Sequence, residues 1–146
     1  MADNKFYIIS IISILIVLLD QLSKYLVRVY INNPVTVIKD ILDIIYTSNT
    51  GAGFSILQGN NITLIIITLI ILGGFLYYYR RFPEDKKVTI PVGLILGGAI
   101  GNLIDRIFFG HVIDFIDFKI WPVFNIADSA ITVGAFILIV YIIRKK

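Results

Sequence analysis

The chain has no cysteine, and that absence removes disulfide cross-links, thiolate metal sites and a thiol nucleophile from consideration. Histidine is nearly as scarce. A catalytic triad would need the single copy, His111, beside a positioned serine, and neither Ser55 nor Ser129 sits in a G-x-S-x-G turn. No calcium-loop spacing and no helical H-E-x-x-H occurs, so neither a metal nor a cofactor is expected. Charge is also short: Asp, Glu, Lys and Arg make up 16% of the 146 residues, against about a quarter in soluble domains. The net charge of +3 is not gathered into a basic groove with interleaved aromatic side chains, which excludes nucleic acid as a partner.

What fills the chain instead is apolar. Hydrophobic residues account for 58%, with a mean hydropathy of +0.88, the composition of an integral membrane protein. Four segments, Phe6–Val27, Ile62–Tyr79, Val88–Phe108 and Ile126–Ile143, approach the length of about 20 residues that crosses a bilayer. They predict one all-α membrane domain over residues 1–146. Lys5 precedes the first segment, but no small-x-small cleavage site follows and the pattern continues into DQLSK, so this helix is expected to be retained. The link RRFPEDKK reads as a plain solvated turn.

Charge placement gives an expected orientation. Lys5, Arg80, Arg81, Lys86, Lys87, Arg144, Lys145 and Lys146 fall on one side, and only Lys24, Arg28, Lys39, Arg106 and Lys119 on the other. By the positive-inside rule both termini are cytoplasmic. Asp3, Glu84 and Asp85 lie inside, whereas Asp20, Asp40, Asp43, Asp105, Asp114, Asp117 and Asp128 lie at or beyond the outer helix ends. On that side, between Arg28 and Asn61, β-branched runs flank Lys39-Asp40 and precede the Asn49-Thr50-Gly51 turn signal. They predict a short antiparallel β element lying on the membrane.

Polar groups enter the spans at few places. Gly93, Gly97 and Gly101 form a stripe that admits a neighbouring backbone. Asn102, Asp105 and Arg106 follow at spacings that cluster them on one side of the third helix. The simplest structural expectation pairs Asp105 with its neighbour Arg106; the functional one turns the cluster into the bundle. Asp20 and Lys24 stand four apart, suited to a buried ion pair or to shaping a polar site. Asn125 is a candidate N-cap for the fourth helix, with Asp128 in its first turn. A second carboxylate brought near Asp128 would hold its proton more tightly, and Asp114, in VIDF, is the natural candidate. Such a pair activates water: one member accepts its proton while the other donates to the carbonyl oxygen or leaving amine. Asp117, three residues on in an extended stretch, points to the opposite face and toward solvent.

Two other functions fit parts of this pattern. In a small ion- or proton-coupled transporter subunit, Asp20, Lys24, Asp105 and Arg106 would line a path across the full membrane depth; here the polar groups gather at one end of the spans. An assembly scaffold would use the glycine stripe but leave the outer carboxylates unused.

Five motifs in order, DQLSK (Asp20 to Lys24), NTGAGFS (Asn49 to Ser55), GGAIGNLIDR (Gly97 to Arg106), GHVIDF (Gly110 to Phe115) and FNIADS (Phe124 to Ser129), resemble the lipoprotein signal peptidase family, the type II signal peptidases of bacteria. The resemblance implies a bundle of four transmembrane helices with a small extracytoplasmic β-cradle in the bacterial cytoplasmic membrane. It implies an aspartic endopeptidase that removes the signal peptide from diacylglyceryl-modified prolipoproteins, cutting before the lipidated cysteine. Asp114 and Asp128 match the catalytic pair. Asn49, Gly51, Asn102, Arg106 and Asn125 match site-lining positions, and Asp20, Lys24 and Asp105 match structural support. Gly53 stands where many members carry alanine. Expected partners are lipid-modified prolipoproteins, membrane lipid and the cyclic peptide antibiotics that inhibit this family.

Overall fold

The computed structural model describes residues 4–51 and 58–145. Asp3, Gly53, Ser55 and Lys146, which entered the sequence reading, lie outside the described residues. Four helices carry the chain back and forth: α1 Asn4–Tyr30, α2 Asn61–Tyr78, α3 Lys86–Phe109 and α4 Ile126–Arg144. All four are long and apolar enough to cross a membrane. Each begins or ends within a few residues of the predicted segment. The largest difference is α1, whose 27 residues span about 40 Å at the standard rise, longer than a hydrocarbon core of about 30 Å.

Helix ends follow local chemistry. Asp85 caps α3 by accepting from the Lys87 amide at 2.8 Å, and Gly110 ends it in the left-handed conformation at φ 76°, where only glycine is free of a Cβ penalty. Asn125 caps α4 by accepting from the Asp128 amide at 2.8 Å. The link between α2 and α3 is more than a solvated turn: the buried Lys5 ammonium donates to the Phe82 carbonyl at 3.1 Å and lies near the Arg80 carbonyl at 3.4 Å. The first turn of α1 thus ties down a loop in which sequence reasoning found nothing to hold.

The most buried helix is α3, and the glycine stripe explains how it holds its neighbours so closely. A Cβ at Gly97 would meet the Ser13 carbonyl oxygen and the Ile16 Cβ, both at 2.8 Å, and one at Gly93 would meet the Ile12 Cβ at 2.8 Å. Ser13 Oγ donates across this contact to the Gly93 carbonyl at 3.0 Å. Gly98 serves α4 instead, facing the Ala127 carbonyl. Backbone cannot yield as a side-chain tip can, so Gly97→Val is expected to wedge α1 from α3 and lower stability by about 1–3 kcal/mol. Thermal unfolding in detergent checks this; an unchanged melting temperature would contradict the packing described.

At the end of the bundle where α1 and α3 finish, a three-stranded antiparallel sheet forms, in the order β1 (Val35–Ile38), β2 (Leu42–Asn49) and β3 (Val112–Asp117). The predicted hairpin around Lys39-Asp40 is present, and β3 adds a strand that the sequence reading took only as an extended stretch. Register matters here. Asp43 pairs with Asp117 and Ile44 with Ile116, but Thr47 then pairs with Asp114 and Asn49 with Val112, so an irregularity lies between Ile44 and Thr47. One extra residue in β2 inverts the alternation of faces. Without it Thr47 and Asn49 would share the face of Asp43 and Asp117; with it they share the face of Asp114.

Candidate active site

The two faces of the sheet separate two groups of carboxylates. On one face Asp43 and Asp117 both pair with Lys119, whose Nζ lies 2.6 Å and 2.8 Å from them. The hydrogen bonds from Lys119 hold both below the usual carboxylate range. Asp117 is thus turned away from Asp114 to the solvent side, as strand alternation predicts, where it pairs with the exposed Lys119.

On the opposite face Asp114 is buried, with 2% of its surface exposed. Its Oδ2 accepts from Asn49 Nδ2 at 2.9 Å and its Oδ1 from Asn125 Nδ2 at 2.7 Å. The bulge in β2 is what brings Asn49 to this face, diagonally across from Asp114. Asn49 is in turn held by its own turn, with Oδ1 accepting from the Gly51 amide at 2.9 Å. Asp128, half-buried in the first turn of α4, accepts from Asn102 Nδ2 at 2.8 Å. Asn102 Oδ1 accepts from Asn125 Nδ2 at 3.2 Å, so Asn125 and Asn102 link Asp114 to Asp128 by an unbroken run of side-chain hydrogen bonds.

Asp114, Asp128, Asn49, Gly51, Asn102 and Arg106 all border one open cleft of about 630 Å³. That volume falls within the range of about 300–1,000 Å³ typical of ligand sites. Burial, followed by the nearby charge of Asp128, pushes the Asp114 carboxyl up to about 7 despite its two asparagine donors. A carboxyl whose proton is held toward neutral pH, beside a second carboxylate, is an arrangement that can serve acid-base chemistry.

Beneath the cleft lies an ionic group with almost no solvent exposure. Lys24 Nζ sits 2.7 Å from Asp20 Oδ2 and 2.9 Å from Asp105 Oδ2, and it donates to Asn102 Oδ1 at 3.1 Å. Its three protons therefore have three acceptors. Asp20 Oδ1 accepts from the Ala127 amide at 2.9 Å, and Asp105 Oδ2 from the Ile113 amide at 3.1 Å. One ammonium thereby joins α1 to α3, while its two carboxylates reach the start of α4 and the start of β3.

The expected pairing of Asp105 with Arg106 does not form. Consecutive residues point about 100° apart around a helix, and Asp105 turns into the bundle while Arg106 turns to the cleft, where Nη2 donates to the Gly51 carbonyl at 3.0 Å. Sequence reasoning also missed two supporting residues. Gln21 Nε2 donates to Asp105 Oδ1 at 2.9 Å and reaches Asp20 Oδ2 at 3.2 Å; its position beside Asp20 in DQLSK was the available signal. Asn61 Nδ2 donates to the Arg106 carbonyl at 3.0 Å, and nothing in a helix-opening asparagine marks such a contact. Among the described residues no group of acidic or histidine side chains is arranged to hold a metal ion.

Fold and site together define a polytopic membrane protein of the aspartic peptidase class. Comparison with known proteins gives the family. The model of signal peptidase (SPase) II matches residues 12–144. A lipoprotein signal peptidase of Halothermothrix orenii is 44% identical over 140 residues, covering 94% of this chain and 97% of its own length. One from Caldanaerobacter subterraneus is 45% identical over 126 residues, covering 84% of this chain and 87% of its own. A bacterial membrane enzyme solved by the in meso method at 2.3 Å superposes with a TM-score of 0.84 at 35% identity, over 93% of this chain and 87% of that one. The chain belongs to the signal peptidase II family, a family of bacterial membrane proteases, and the transporter reading finds no support in these comparisons.

Proposed function

We propose that this protein cleaves the signal peptide from diacylglyceryl-modified prolipoproteins just before the lipidated cysteine, with Asp114 and Asp128 as the catalytic pair. The observation that carries this reading is the hydrogen-bonded connection of the two carboxylates through Asn125 and Asn102 at the wall of one cleft. Ionised Asp128 takes a proton from water as the water oxygen bonds to the scissile carbonyl carbon, and protonated Asp114 donates to the carbonyl oxygen. The tetrahedral intermediate then collapses: the C–N bond breaks, the proton held by Asp128 passes to the leaving amine, and Asp114 recovers its own. Asn49, Asn102 and Asn125 keep the carboxylates oriented, and Arg106 with Gly51 forms the cleft wall that positions substrate.

The cleft opens at the end of the bundle opposite Lys5, Arg80, Arg81, Lys86, Lys87, Arg144 and Lys145. The positive-inside rule makes that basic end, and both termini, cytoplasmic. The site then faces the outer surface, where the lipid chains of the substrate remain in the bilayer while its peptide bond enters the cleft. Cyclic peptide antibiotics that act on the family are expected to occupy the same cleft and compete with substrate. Incubation of purified protein with a lipidated precursor tests the reading: a gel shift for release of the signal segment is expected, and an intact precursor under conditions where the protein remains folded would refute it.

The elevated position of Asp114 predicts the alkaline limb of the pH profile. Cleavage needs its proton, so turnover falls as pH rises through about 7, by about tenfold for each further unit. The same shift governs stability. Because the folded state holds this proton more tightly than the unfolded chain, whose reference value is 3.8, the contribution is fully present below that value and is lost as pH rises through about 7. Replacing Asp114 by Asn is therefore expected to improve relative stability more at pH about 8 than at pH about 5. Melting temperatures of both proteins at the two pH values check the sign.

A further inference from the structure

One end of the sheet carries an edge of exposed apolar side chains that reaches from the rim of the cleft outward. Ile38 pairs with Leu42, and Asp43 with Asp117. The hairpin turn at residues 39–41 and the chain leaving β3 at residue 118 therefore project beyond the same end. Both tips expose large apolar side chains: Ile38 48% and Ile41 53% from the hairpin, and Ile120 94% and Trp121 58% from the β3–α4 link.

These tips are built, not loose. The link is pinned at its base by the Ile116–Phe124 bridge and by stacking of Phe118 on Phe124, with ring centroids 6.0 Å apart. Lys119 adopts a left-handed backbone at φ 64°, uncommon for a long side chain. Asp117 Oδ1 accepts its amide at 2.9 Å, and its ammonium clasps Asp43 beside the other tip. A strained residue and an ion pair thus join two turns so that their apolar side chains point outward.

We infer that this edge inserts into the lipid leaflet at the cleft end of the bundle, placing Ile120, Trp121, Ile38 and Ile41 among acyl chains and fixing the depth of the cleft. The occupant is lipid and not a protein partner because four helices long enough to cross a membrane bring this end of the bundle to a bilayer surface, where exposed apolar tips meet acyl chains. α4 begins five residues after Trp121 and is itself lined outward by exposed Val133 and Phe136. Trp121 also borders the cleft, which puts this ring between membrane and site at the level where tryptophan concentrates in membrane proteins. Lys39, Asp40, Asp43, Asp117 and Lys119 are the charges of this edge. They nearly cancel, so insertion rests on apolar burial and does not require anionic lipid.

Trp121 is the only tryptophan in the chain, so its fluorescence reports the edge directly, whether or not the protein is a peptidase. The full chain would be reconstituted into phosphatidylcholine vesicles with or without bromine on the acyl chains. Bromine nearest the headgroup end is expected to reduce emission by about twofold or more, as for a ring in the interfacial belt, and to the same extent when phosphatidylglycerol is included. Because Trp121 is shared with the cleft, a second protein carrying Ile120→Trp and Trp121→Phe moves the probe to the most exposed position, with the same quenching expected. Emission at the wavelength of free tryptophan, insensitive to bromine in both proteins, would overturn the proposal, and so would quenching that appears only with phosphatidylglycerol.

Discussion

Asp128→Asn is expected to lower cleavage by about a thousandfold or more while leaving the helices in place. Asparagine keeps an oxygen that accepts from Asn102 Nδ2, which lies 2.8 Å from Asp128 in the native protein, but it cannot take a proton from water. Asp114→Asn is expected to fall as far for a second reason as well. Both Asp114 oxygens accept from asparagine amides, so a carboxamide there must turn its own donor toward one of them. The two substitutions combined should be scarcely worse than either alone, because groups acting as one unit do not contribute independently. Initial rates on a lipidated precursor, with circular dichroism as the folding control, provide the check. A variant retaining more than about a tenth of native turnover would remove that residue from the acid-base role.

Lys24→Met is expected to be the most destabilising substitution outside the helix contacts, by about 3–5 kcal/mol. The lysine is 2% exposed and Asp20 and Asp105 are 0% exposed. Methionine matches its shape but leaves two carboxylates facing each other out of water, with Gln21 as their remaining shared side-chain donor. It also withdraws the bond to Asn102 Oδ1, the residue that holds Asp128. Unfolding in detergent should therefore show a large fall in melting temperature, and the folded remainder should cleave slowly. A melting temperature equal to that of the native chain would mean that the ionic group is incidental to folding. Because the pair is buried, raising the salt concentration should do little to mimic the substitution.

Hydropathy was sufficient to locate four spans, since crossing lipid demands long apolar runs with internally satisfied backbone. The carboxylates of the site were also legible, because Asp114 and Asp128 sit beside helix ends where an apolar chain has few reasons to place charge. Other features depend on contacts between distant segments. The irregularity between Ile44 and Thr47 decides whether Asn49 faces Asp114, yet a one-residue change of register leaves little trace in the alternation of a single strand. Asp105 illustrates the same limit. Its spacing from Asn102 and Arg106 describes one helix, whereas its partners, Lys24 and the Ile113 amide, come from α1 and β3. Gln21 and Asn61 are ordinary helix residues by composition and become supports only through what packs against them.

That Asp128 lies close enough to Asp114 to hold up its proton is tested most directly by following the Asp114 carboxyl carbon by nuclear magnetic resonance as pH is varied. The signal is identified by its loss in Asp114→Asn. It should titrate at about 7 in the native protein and move to lower pH in Asp128→Asn, where the neighbouring negative charge is gone but burial remains. A titration near the ordinary 3.8, or one that Asp128→Asn leaves unmoved, would contradict the coupling of the two carboxyls.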